Sequence, residues 1–66
     1  MIIEKVSLPI ARKIKGITQT QLAKACNVSV STVSNWERGK TEPTVSQAKK
    51  IANVCGVKID DIKFLA

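Results

Sequence analysis

Histidine is absent from the 66 residues, aromatic side chains make up 3% of them, and acidic residues number five against eleven basic ones. Each shortage excludes something. Without histidine, Cys26 and Cys55 have no partner to complete a zinc set, and they lack the CxxC spacing of a redox or metal motif. No acid pair sits at a catalytic spacing, no glycine-rich stretch cradles a phosphate, and neither thiol has a base beside it. The chain therefore reads as a non-enzyme with no cofactor, no metal and no evident small-molecule ligand. No apolar run is long enough to span a bilayer and no signal segment is evident, which points to a cytoplasmic protein. With so few aromatics the core must come from Ile, Val, Leu and Ala. With no long alternating runs, that core is expected between helices rather than sheets.

What is present is charge, unevenly placed. Between Arg12 and Lys50 eight basic residues face only Glu37 and Glu42, while elsewhere Lys5, Lys58 and Lys63 balance Glu4, Asp60 and Asp61. The whole formal excess of +6 is central. A polyanion suits such a stripe, nucleic acid ahead of membrane, although a solvated basic surface would look the same from charge alone.

Local signals divide the chain into four or five short helices. Ile2 to Val6 is a short apolar stretch, a strand or a loose arm. Ser7 is a candidate N-cap, with Pro9 in the first turn, Leu8, Ala11 and Ile14 at helical spacing, and Gly16 as the stop. Thr18 and Gln21 have the capping-box form ahead of Leu22, Ala23 and Cys26, and Asn27 tolerates the left-handed turn that follows. Ser29 caps a third helix that Gly39 ends. Thr44 and Gln47 repeat the capping box before Val45, Ala48, Ile51, Ala52 and Cys55, which Gly56 closes. Residues from Val57 to Leu65 predict a fifth, shorter helical turn. The cysteines lie on apolar stripes and are read as reduced core residues. No linker or repeat divides the chain, so residues 1–66 are expected to form one domain.

The third helix needs a separate account. Hydroxyl side chains at 29, 31, 32 and 34 and an asparagine at 35 share it with the chain's single tryptophan. At about 100° per residue, with Val33 at zero, Trp36 falls near 300° and Glu37 near 40°, while Ser34, Arg38, Ser31 and Asn35 fall between roughly 100° and 200°. One face thus points to a core and the other away from it, with Val30 at the front edge. A solvent-exposed polar face would satisfy this pattern. So would a face built for the major groove, where asparagine bonds an adenine edge, serine donates or accepts, and valine meets a thymine methyl. A second helix arriving through a tight turn, its N-terminus open to a phosphate, favours the groove.

In order and spacing, Arg12, Lys15-Gly16-Ile17-Thr18-Gln19, Leu22-Ala23, Val28-Ser29, Val33-Ser34, Trp36-Glu37-Arg38-Gly39-Lys40, Pro43, Ile51-Ala52 and Gly56-Val57 resemble the phage repressor and Cro-type (XRE-like) helix-turn-helix family. The resemblance implies an all-α bundle of four to five helices of the lambda-repressor-like type, with a second helix at about 19–26 and a recognition helix at about 30–38. It implies a domain that binds operator DNA as a dimer. Val30, Ser31, Ser34 and Asn35 match base-reading positions. Gln19 matches a position that touches phosphate and braces the recognition helix, and Lys40 and Thr41 match loop positions near the backbone. Thr18, Ser29 and Arg38 join them as phosphate candidates. Arg12 and Glu37 match a buried ion pair. Asn27 replaces the usual glycine, Lys58 replaces a common capping hydroxyl, and the reading row lacks glutamine, so relatives give no operator.

The expected function is a sequence-specific double-stranded DNA-binding transcriptional regulator, a repressor occluding a promoter from a palindromic operator as a homodimer. It would be a stand-alone unit or a fragment of a longer repressor. Phage, antitoxin and controller roles are not separable. The competing reading is an antitoxin-like protein-interaction module that keeps the fold without reading DNA. Val57, Ile59, Phe64 and Leu65 would serve either a dimer patch or the closing of the core.

Overall fold

The computed structural model describes residues 6–64. Its elements in chain order are β1 (Val6–Ser7), α1 (Leu8–Lys15), α2 (Gln19–Cys26), α3 (Val30–Glu37), α4 (Val45–Cys55), a 3-10 turn (Ile59–Asp61) and β2 (Ile62–Lys63). The expectations for Ile2 to Lys5 and for Leu65 lie outside the described residues.

Three of the four α-helices begin on a hydroxyl. Thr18 Oγ1 accepts from the Gln21 amide at 3.1 Å while Gln21 Oε1 accepts from the Thr18 amide at 2.8 Å. Thr44 and Gln47 repeat that box, and Ser29 Oγ accepts from the Thr32 amide at 3.1 Å. Ser7 departs from expectation. It occupies the N-cap position of α1 but its side chain makes no capping bond. Ser7 also belongs to β1, where it is paired in register with Lys63.

The helix ends share one device. After α1, α2 and α4, Gly16, Asn27 and Gly56 turn left-handed, at φ 81, 58 and 71°. The next residue donates its amide five residues back: Ile17 to Arg12, Val28 to Ala23, and Val57 to Ala52, at 2.9–3.2 Å. These are Schellman closures, in which an apolar residue commonly follows the left-handed one. Ile17, Val28 and Val57 all pack against the core. Asn27 is the sole non-glycine residue with positive φ among the described residues, as its short side chain permits.

Leu8 and Ala11 of α1, Leu22 and Ala23 of α2, Val33 and Trp36 of α3, and Ile51, Ala52 and Cys55 of α4 meet in one core, joined by Ile62. Two expected core positions are corrected. Ile14 is 74% exposed, because by that residue α1 has turned about 120° from Leu8. Val45 is 69% exposed; it opens α4, where a side chain tilts toward the helix N-terminus and off the packed turns.

The fifth, shorter helical turn is present as a single 3-10 turn, started at Lys58 without a side-chain cap and ending at Asp61. The chain then straightens at Ile62 into β2, which runs parallel to β1, with Val6 opposite Ile62. This two-residue bridge ties the two ends of the described chain together and buries Ile62 at 3% exposure. Val57, Ile59 and Phe64 pack on the same core, half-buried. Both cysteines are free. Burial pushes the Cys26 thiol up, partly opposed by Lys50, and burial followed by the charge of Cys26 pushes up Cys55. Raised thiols are poor nucleophiles, as their packing role requires. No described helix is long and apolar enough to cross a membrane.

The burial contrast predicts that Ile51→Ala costs about 2–5 kcal/mol, the range for emptying a packed aliphatic site. Ile14→Ala is expected to stay within about 0.5 kcal/mol. A single core this small supplies only about 3–5 kcal/mol, so in urea denaturation the first variant should lose most of its transition midpoint while the second keeps that of the parent chain.

Candidate nucleic-acid interface

α3 has divided duties. Val33, at 0% exposure, and Trp36, at 3%, anchor its inner face. On the other side Ser31 and Arg38 are exposed, Val30 is 41% exposed, and Ser34 and Asn35 are half-buried. The structure therefore gathers Val30, Ser31, Ser34, Asn35 and Arg38 on or beside the face turned from the core. The side chains of Ser31, Ser34 and Asn35 make no hydrogen bond among the described residues, leaving their donors and acceptors to an outside partner. Ser29 and Thr32 differ: their hydroxyl oxygens lie 2.9 Å apart and share the helix cap.

Glu37, at the last turn of α3, sets how this face is turned. Its Oε2 accepts from Arg12 Nε at 2.7 Å, and its Oε1 accepts from Gln19 Nε2 at 2.8 Å. Arg12 also donates through Nη1 to the Ile17 carbonyl at 2.9 Å. One carboxylate thus joins α1, the connection after it, the first residue of α2 and the end of α3. The charged side chains of the pair are 12% and 9% exposed. No buried side-chain polar atom among the described residues lacks a partner. The bond from Arg12 to Ile17 was not legible in the sequence, because it ends on a backbone carbonyl and leaves no trace in residue type.

The basic stripe divides as well. Lys15 reaches over Gly56 at the end of α4, where the free carbonyls of a helix attract a cation. Lys40 behaves otherwise. Gly39 turns left-handed at φ 74°, and the Lys40 amide donates to the Asn35 carbonyl at 3.0 Å, a fourth Schellman closure. Here the residue after the turn is an exposed lysine instead of an Ile or Val packed on the core. Thr18 and Thr41 are exposed, with the Thr18 hydroxyl engaged in its capping box. No group of three or more potential metal ligands exists among the described residues. A shallow pocket of about 140 Å³ beside Trp36, lined by Leu8, Pro9 and Phe64 among others, is largely apolar and lies behind α3.

The family model described as helix-turn-helix matches residues 10–62. The chain is 43% identical over 58 residues to an HTH-type transcriptional regulator of Methanocaldococcus jannaschii, covering 88% of each. It is 37% identical to the HTH-type transcriptional regulator YazB of Bacillus subtilis, covering 77% of this chain and 74% of that one. To the HTH-type transcriptional activator BcrR of Enterococcus faecalis it is 40% identical over 73% of this chain but only 24% of that protein.

The carboxylate hub predicts that Arg12→Ala costs up to about 3–5 kcal/mol, the range for removing one partner of a fully buried pair, which this largely buried pair approaches. The double variant Arg12→Met with Glu37→Gln should be the more stable of the two in urea denaturation. Equal destabilisation of both would mean that the pair contributes packing alone.

Proposed function

The chain belongs to the helix-turn-helix family, and from that premise we propose that it is a sequence-specific double-stranded DNA-binding transcriptional regulator, a repressor that occludes a promoter. The observation carrying this reading is the outward face of α3. Its side chains are small and uncommitted, it is held in place from behind by Val33, Trp36 and Glu37, and exposed Arg38 and Lys40 flank its end. In this reading residues 1–66 act as one domain in the cytoplasm. Val30, Ser31, Ser34 and Asn35 read bases; Gln19, Thr18, Ser29, Arg38, Lys40 and Thr41 face the phosphate backbone. Gln19 suits this because a second amide hydrogen remains after its bond to Glu37. A single domain covers few base pairs, so the protein binds as a homodimer across a palindrome whose half-sites are about 34–36 Å apart.

One feature favours a second reading, a partner-binding module that keeps the fold. Ile10, at 50% exposure, and Ile14, at 74%, lie four residues apart on α1 and form an apolar stripe outside the core.

Selection from a pool of randomised duplexes separates the two. The regulator reading expects an enriched palindrome with half-sites one helical turn apart; no enrichment at low salt would favour the module. On the enriched site, Asn35→Ala is expected to cost about 1–3 kcal/mol and to relax preference at one position. Lys40→Ala should weaken binding to every sequence alike and lower the salt slope by about one. Fluorescence anisotropy across a salt series reads both.

A further inference from the structure

Val30 is a side chain that neither the core nor helix stability explains. It is 41% exposed, in the first turn of α3, and is not among the residues packed on the core. Valine is a poorer helix former than alanine or the straight-chain residues, so an exposed helical site gains nothing from it. Its neighbours sharpen the point. The hydroxyls of Ser29 and Thr32 satisfy each other and the helix cap, which leaves Ser31 as the uncommitted polar group of that turn. From 30 to 35 the helix carries no Arg, Lys, Gln, Glu or Asp, and so none of the long side chains that bond guanine O6 and N7 or cytosine N4.

The major groove offers one apolar group, the methyl on C5 of a pyrimidine. We infer that Val30 recognises this methyl group, making each half-site dependent on a 5-methylpyrimidine where the N-terminus of α3 enters the groove. The inference rests on the DNA-binding reading above. Thymine supplies the methyl in unmodified DNA. 5-Methylcytosine presents the same group, so a methylated cytosine at that position is read as well.

The test uses the enriched duplex with each thymine replaced singly by deoxyuridine, which removes the methyl and nothing else. One such replacement, in one half-site, is expected to weaken binding about fourfold, the effect of one methyl group returned to water. Val30→Ala, at an exposed site where the fold is not at stake, should bind more weakly and be indifferent to that same replacement. At the position so found, a 5-methylcytosine–guanine pair should bind more tightly than cytosine–guanine, which separates the methyl group from the remainder of thymine. Methyl-blind thymines throughout, a sensitivity that persists in Val30→Ala, or equal binding of the two cytosines would each overturn the inference while leaving a sequence-specific regulator in place. Failure to enrich any duplex would overturn the inference together with the regulator reading.

Discussion

The rotation of α3 about its own axis depends on the carboxylate of Glu37. Val33 and Trp36 hold the helix against the core, but apolar contacts are non-directional and would tolerate a small roll. Hydrogen bonds from Arg12 and Gln19 to the two separate oxygens of Glu37 remove that freedom. Arg12 fixes the hub to α1 and, through the Ile17 carbonyl, to the turn leading into α2. A buried pair of this kind is weak evidence for net stability, because desolvation offsets much of the attraction. Its effect here is on geometry. With the inner side of α3 fixed by packing and by charge-assisted bonds, the outer side is released from structural duty.

The ends of the helices show the same division. Four Schellman closures stop four helices, and three of them place Ile17, Val28 or Val57 on the core. The fourth, after α3, has the same backbone bonds but exposes Lys40. That departure lies beside the face with uncommitted polar groups, as the DNA-binding proposal would have it. Lys15, by contrast, lies over the carbonyl end of α4, so the central positive charge does not all sit beside α3.

Much of this was legible in the residues. Both capping boxes, the Ser29 cap, the left-handed Asn27 and the two faces of α3 follow from hydroxyl spacing, side-chain size and the angle per residue, and the structure has them all. The misses share a cause: they depend on partners distant in sequence or on the limits of an element. Ile14 and Val45 fit a helical stripe, but their helices offer nothing to pack against at those turns. Ser7 has the residue type of a cap, but it sits in β1 opposite Lys63 and makes no capping bond. Ile62 pairs with Val6 across most of the chain, and a two-residue bridge carries no periodic signal. At the candidate interface, residue type and spacing mark the face, while the bond from Arg12 to Ile17 ends on a backbone carbonyl that no residue type marks.

In the proposed function α3 meets DNA with the face opposite Val33 and Trp36. Nuclear magnetic resonance titration of the amide signals with an operator duplex locates that contact residue by residue. Shifts are expected to concentrate at Thr18 to Gln21, Ser29 to Asn35 and Lys40 to Thr41, with Ile51 to Cys55 of α4 little changed. Shifts centred instead on Ile10 and Ile14, or on the pocket beside Trp36 and Phe64, would refute that orientation of the helix.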